Sequence, residues 1–323
     1  MEKLVDYKDI KDSHRSYLLF GNGLAMSFSS EFGYKSLYDL CSLEESSSGP
    51  MFSAEALQVF KDFDSTNFEW ILYALDLTKK INETLYVDND KTGEVYENIK
   101  HSLIKAVHRV HIGFDEIRRY QLERLGKIFA SFNKGIFTTN YDLITYWALM
   151  ENKNKLADLF FQHSTFNIKA TTPYNGKKPV HFLHGALHLY KENGATKKVF
   201  RESGSLLERI DETMSNHKTP LFVSEGTSDQ KLRTITSNEY LHHCYKKLFQ
   251  LSGGITIFGH SLAKEDNHIV EAIRQSNVER IAYGVHTSRR DQKDIDREIA
   301  KINSKFKSKT VTFFQSNSFF DSV

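Results

Sequence analysis

The chain has 323 residues, with 43 Lys and Arg against 41 Asp and Glu and a formal net charge of +2. That near-balance argues against a surface built around a nucleic-acid backbone, and 40% apolar residues with 13% aromatics mark a folded chain. No apolar run approaches the roughly 20 residues of a membrane helix, and the acidic start Met1-Glu2-Lys3-Leu4-Val5-Asp6 is no secretory signal, so a soluble, cytoplasmic protein is expected.

The first strand is predicted at Tyr17-Leu18-Leu19-Phe20, running into Gly21-Asn22-Gly23-Leu24-Ala25. Two glycines one residue apart permit a tight turn and the close approach of backbone to a phosphate, with a helix N-terminus following. Met26 stands where a third glycine would complete a dinucleotide fingerprint, so an ordinary strand-to-helix turn remains an equal reading. From about Lys35 to Ala130 the pattern changes. Leu37–Leu40, Phe68–Leu75 and His101–Val107 carry apolar residues at helical spacing, with Asp64-Ser65-Thr66-Asn67 as an N-cap cluster for the second. Residues 35–130 are therefore read as a helical insertion or small domain, and Glu44–Gly49 and Asp88–Gly93 as loops.

The second strand, Gly135–Thr139, leads into Asn140-Tyr141-Asp142, an amide and a carboxylate two residues apart. They suit a ribose hydroxyl and a carboxamide; they equally suit an Asx turn capping a helix near Leu143. Val180–Leu183 runs into His184-Gly185, which puts His184 at a strand exit, while His181 points away from it by strand alternation. No metal site is expected from these histidines, because no carboxylate lies at a ligand spacing. Lys191–Gly204 reads as an exposed polar excursion, Leu221–Val223 as a strand, and His242-His243 as part of an amphipathic helix from Glu239 to Leu251. Gly254–Phe258 runs into Gly259-His260-Ser261, followed by Asp266 as a cap for a helix through Ile269 and Ile273. Ile281–Val285 and Thr310–Phe314 are the last strands, and Ser288–Asp294 between them is a solvated helix face.

Short apolar strands alternating with helices predict an α/β fold, a doubly wound, mostly parallel, Rossmann-like sheet formed by residues 1–34 and 131–323. Asn22, Asn140, Asp142, His184 and Ser261 all follow strands, on the edge where such sheets bind ligands. Cys41 and Cys244 lie far apart. A four-cysteine zinc site is impossible, a disulfide framework is not expected, and each thiol reads as a small buried apolar group.

In order and spacing, Gly21-Asn22-Gly23-Leu24-Ala25, Thr138-Thr139-Asn140-Tyr141-Asp142, Phe182-Leu183-His184-Gly185 and Gly259-His260-Ser261-Leu262 resemble the four motifs of the sirtuin superfamily. Lacking the zinc-binding cysteines, the chain is similar to a bacterial branch without the zinc ribbon, several members of which destroy NAD in anti-phage defence by abortive infection. Thr139 stands where that family has glutamine, and Ala25 where it has serine. The resemblance implies an NAD glycohydrolase in which NAD is the substrate and no zinc is needed. Asn140 would hold ribose and water, Asp142 the carboxamide, and His184 would act as general base near its ordinary pKa of about 6.5. Gly21, Asn22, Gly23, Leu24, Thr139, Gly259, His260, Ser261 and Val285 would hold the rest of NAD. A homo-oligomer or a regulatory protein partner is implied as restraint, with no membrane or nucleic-acid partner. An NAD or ADP-ribose sensor, an ADP-ribosyl transferase or deacylase, and a structural subunit with a decayed pocket stay open as alternatives.

Overall fold

A computed structural model describes residues 3–322 apart from 44–50, 89, 112–116, 118, 161–162, 171–175, 200–205, 216–219 and 224–226. The expected loop at Glu44–Gly49 lies outside the described residues. Strand β1 (Tyr17–Phe20) is followed by the short helix α1 (Gly23–Met26) and then by α2 (Tyr34–Ser42), α3 (Ala54–Asp62), α4 (Phe68–Thr84), α5 (Asp90–Val110) and α6 (Arg119–Ser131) before β2 (Gly135–Thr138). A helical insertion therefore separates the first two strands. Helix α4 starts where its cap cluster predicts, with the Asn67 side chain accepting the Trp70 N–H. The turn expected over Asp88–Gly93 is instead partly helix from Asp90. Gly93 costs that helix about 1 kcal/mol relative to alanine, and α5 absorbs this by packing along α2, α3 and α4.

The chain continues with α7 (Ile144–Glu151), β3 (Leu156–Ala157), β4 (Lys178–Phe182), β5 (Gly185–Glu192), β6 (Ala195–Lys198), α8 (Leu206–Ser215) and β7 (Pro220–Phe222). Then come α9 (Ser228–Thr236), α10 (Glu239–Phe249), β8 (Ser252–Phe258), α11 (Asn267–Gln275), β9 (Asn277–Val285), α12 (Gln292–Lys305) and β10 (Thr310–Gln315). Seven strands form one sheet in the order β10-β9-β8-β1-β2-β4-β3, every pair parallel. The fold is doubly wound and Rossmann-like. From β1 the chain builds outward through β2, then returns to the other side of β1 at β8, so the topological switch lies between β1 and β8.

Two sequence expectations are corrected here. Leu221 and its neighbours form β7, but in a separate antiparallel sheet of order β6-β5-β7. The polar stretch after Lys191 is, as far as Val199, a hairpin in which Glu192 pairs with Ala195 around Asn193-Gly194. Both turn residues have positive φ, 50° and 81°, the two-residue turn whose twist suits a hairpin.

Strand β8 leaves no room beside it. A Cβ on Gly254 would sit 2.0 Å from the Ser13 carbonyl oxygen and 2.5 Å from His14 Cα, both backbone atoms. We expect Gly254→Ala to destabilise the chain by about 1–3 kcal/mol through backbone displacement, read as a lower urea midpoint with unchanged slope; an unshifted midpoint would contradict this packing.

Candidate functional site

The exits of β1, β2, β4 and β8 are tied edge to edge. Thr139 N–H donates to Phe20 O, Leu183 N–H to Thr138 O, Gly21 N–H to Phe258 O and Gly23 N–H to Gly259 O. At the switch between β1 and β8 the loops touch backbone to backbone. A Cβ on Gly23 would meet Gly259 Cα at 2.6 Å, and one on Gly21 would meet Gly259 O at 2.9 Å. Gly259 itself has φ +60°. These glycines are required by the loops' own contact; room for a phosphate is not needed to explain them.

Above this junction opens a cavity of about 850 Å³. Gly21, Asn22, Thr139, Asn140, Asp142, His184, Gly259, His260 and Ser261 line it together. Leu24 and Val285 are fully buried in the core and, with Gly23, lie outside this lining. Phe32 and the helical insertion, through Leu37, Asn67, Trp70, Tyr73, Leu103 and Val107, line it as well. The rings of Trp70 and Tyr73 lie 5.8 Å apart, and Trp70 remains 45% exposed.

Asn140 is 4% exposed; its amide group reaches toward the Asp142 carboxylate, and its oxygen has no hydrogen-bond partner. The turn that presents it is held by Asn140 N–H donating to Thr138 Oγ1, 3.0 Å. Asp142 Oδ1 accepts the Ile144 N–H at 2.8 Å, so the capping reading holds. Burial pushes Asp142 up to about 6, against the backbone N–H of Ile144 and the Asn140 amide, which favour the carboxylate. His111 Nε2 accepts the Leu143 N–H at 2.7 Å and braces the same turn from the insertion side.

The histidines divide. His181 is buried, stacked on Phe137 with ring centroids 4.6 Å apart, and burial lowers it to about 3. His188 is buried against Tyr146 and Phe182. Of the three, His184 faces the crevice. Its pKa does not stay near the ordinary value. Burial depresses it well below, with Asp266 acting in the opposite sense, so it is neutral at pH 7. His260 accepts the Leu262 N–H at Nδ1, 3.0 Å, so its neutral ring carries the proton on Nε2.

Sequence reasoning missed the cluster behind His184. Asp266 precedes α11 without capping it by its side chain. Its Oδ1 accepts from Lys231 Nζ at 3.0 Å and lies 4.0 Å from His184 Nε2, and its Oδ2 lies 3.8 Å from His260 Nε2. Lys231, on α9, is fully buried. His184 Nε2 and His268 Nε2 are 3.2 Å apart, and His268 Nδ1 is 3.2 Å from Ser228 Oγ. One donor atom each from His184, Asp266 and His268 falls within a 4.8 Å group, a convergence the sequence spacing did not indicate. No single motif signals it, because α9 and α11 meet only through packing. Both cysteines are buried free thiols pushed up to about 12 by burial, as expected of inert groups. Among the described residues no helix is long and apolar enough to cross a membrane.

A family model described as Domain of unknown function (DUF4917) matches residues 18–320. No curated protein matches the chain.

Proposed function

The chain belongs to the DUF4917 family, and we propose that its crevice hydrolyses the N-glycosidic bond of NAD, releasing nicotinamide and ADP-ribose. The observation that carries this reading is the buried Asn140 amide, its oxygen unpaired and its nitrogen turned toward the Asp142 carboxylate, lining one cavity with a neutral imidazole at the strand exits of a doubly wound sheet. A buried amide oxygen without a partner costs about 1–3 kcal/mol, and a ligand carrying hydroxyls would satisfy it.

The chemistry asks little of the protein. The C1′–N bond breaks with its electron pair going to the cationic ring, which leaves as neutral nicotinamide. Water oxygen bonds to C1′ and gives up one proton. Asn140 orients the ribose and that water, which removes much of the entropic barrier. Asp142 accepts from the nicotinamide carboxamide, and its negative charge steadies the oxocarbenium-like transition state. His184, neutral at pH 7, takes the proton. Trp70 and Tyr73 offer a planar surface for an aromatic ring of the substrate. A cytoplasmic role in anti-phage defence, with restraint by self-association or a partner, follows from the motif resemblance and belongs to the same proposal.

The test is nicotinamide release by the purified full chain, followed by chromatography, beside a titration of Trp70 fluorescence with NAD. The second tryptophan, Trp147, is buried on α7, so Trp70→Phe isolates the crevice signal. Release together with Trp70 quenching supports a glycohydrolase. Quenching without release favours a sensor, and neither would sink the NAD reading.

Asp142 adds a pH signature. Its free-enzyme pKa is raised to about 6, so it is a carboxylate above that pH and becomes protonated as pH falls through it. We expect KM for NAD to rise as pH falls from 7 to 5, and Asp142→Asn to remove that dependence. A KM flat over this range would remove Asp142 from carboxamide binding.

A further inference from the structure

We infer that His268 is the second half of an acid–base pair with His184, and that with Ser228 it carries the substrate proton from the crevice floor to its rim. The inference rests on His184 as the base of the proposed reaction. Two ring nitrogens 3.2 Å apart share one proton, one donating while the other accepts. On the far side of His268 the Ser228 hydroxyl is fixed between two groups of the same residue. It accepts the His268 main-chain N–H at 2.6 Å and faces His268 Nδ1 at 3.2 Å. Ser228 is half-buried between exposed Thr227 and Asp229, so the chain of contacts ends at water.

The proton balance closes along this line. In the receptive arrangement His184 Nε2–H donates to His268 Nε2, and His268 Nδ1–H donates to Ser228 Oγ. That leaves His184 Nδ1 as the nitrogen able to take a proton from water in the crevice. One proton enters there, the Nε2 proton passes to His268, and the Nδ1 proton of His268 leaves through Ser228 to solvent. Both rings end neutral in the opposite tautomer, with the Ser228 hydroxyl donating to His268 Nδ1. The positive charge in transit is met by Asp266, whose carboxylate lies 4.0 Å from His184.

Lys231 and His260 are charged or titratable groups that also face the pair, and the Tyr245 ring packs against His268 at 5.9 Å with its hydroxyl donating to the His268 carbonyl. The fully buried Lys231 donates to Asp266 at 3.0 Å, which fixes the carboxylate and tempers its field. The donors of His184, Asp266 and His268 are also spaced as metal ligands are. A dication there would stand beside the Lys231 ammonium, already 3.0 Å from Asp266, and would leave buried positive charge uncompensated. His260 cannot join as a fourth ligand while its Nδ1 is engaged by Leu262 and its Nε2 is protonated. We therefore assign the cluster to proton movement, with Asp266 and Lys231 as positioning residues.

The experiment is an NMR pH titration of the full chain labelled at histidine, without NAD, beside His268→Gln and the milder Ser228→Ala. We expect the His184 and His268 rings to titrate as a coupled pair, and His268→Gln to move the His184 midpoint by about one unit. Independent titration of the two rings, unchanged by either variant, would overturn the inference. The kinetic companion is nicotinamide release. His268→Gln should lower kcat by about 100-fold with KM unchanged, and Ser228→Ala should lower it less. A wild-type kcat in a folded His268→Gln overturns the relay and leaves the hydrolase standing. Coupled titration in a wild type that releases no nicotinamide upholds the pair and removes the hydrolase.

Discussion

Exchange of Asn140 for alanine is expected to cut nicotinamide release by about 10²–10³-fold while leaving the folded chain as stable as before, within about 1 kcal/mol. The two effects differ because the Asn140 oxygen is buried without a partner, at 4% exposure, while the amide nitrogen serves only the Asp142 carboxylate beside it. Folding strips water from that amide and returns only its contact with Asp142 until a substrate arrives. Alanine removes the polar group and its desolvation penalty, offset in part by the small space left behind. Release loses the group that orients ribose and water, and the loss should reach about 10²–10³-fold, the range for one preorganised polar contact to a transition state. The backbone of the turn is held independently, through Asn140 N–H to Thr138 Oγ1 and Ile144 N–H to Asp142 Oδ1, so the variant keeps the crevice shape. The measurement is a urea midpoint and a release rate on the same sample. A clear drop in stability would mean that the amide is structural, and unchanged release would remove it from the reaction.

A change that removes function without loss of stability is the mark of a site maintained for something other than the fold, and it bears on what the sequence could show. The strands were legible because Tyr17–Phe20, Gly135–Thr138 and Ser252–Phe258 are short, apolar and closed by turn residues that stop them. The exits of four strands were legible for the same reason, since polar residues after an apolar run mark the binding edge. The Asn193-Gly194 hairpin was equally written in the residues, as a two-residue turn between Glu192 and Ala195, but its polar flanks disguised it as a loop. The Lys231–Asp266–His184–His268 cluster was not legible. Apart from His184, which its strand exit already placed in the crevice, each member has a local reading that satisfies it: a lysine in an amphipathic helix, an aspartate at a helix start, a histidine in the first turn of α11. Only the packing of α9 against α11 turns these into one electrostatic unit. Nor did spacing show that Trp70 and Tyr73, far from every strand exit in sequence, return to wall the same cavity.

The same buried imidazoles make the chain sensitive to mild acid, and this is the second large effect we expect. His181 is lowered to about 3 and His268 to about 4, in each case chiefly by burial. His184 and His188 are depressed well below their ordinary value, and His260 is lowered. A histidine whose folded pKa lies below about 6.5 is protonated first in the unfolded chain. Its neutral, folded form is therefore favoured above that pH, and stability is lost as pH falls from about 6.5 toward the folded value. At pH 5, His181 and His268 each withdraw about 2 kcal/mol relative to neutral pH, and the other three act in the same direction. Asp142 opposes them. Its folded pKa is raised to about 6, so it penalises folding at neutral pH, and protonation relieves about 1.5 kcal/mol by pH 5. Asp266, held low by Lys231 against the effect of its own burial, stays ionised and adds its loss only below about pH 4. The sum is a fall of more than about 2 kcal/mol between pH 7.5 and 5, a large share of the 5–15 kcal/mol typical of a folded domain. Urea midpoints measured across that range should drop steadily, and His181→Phe should flatten the slope, since that ring stacks on Phe137 with its Nδ1 unpaired. Midpoints constant from pH 7.5 to 5 would mean that the imidazoles are hydrated in the folded chain, and with them the floor on which His184 acts.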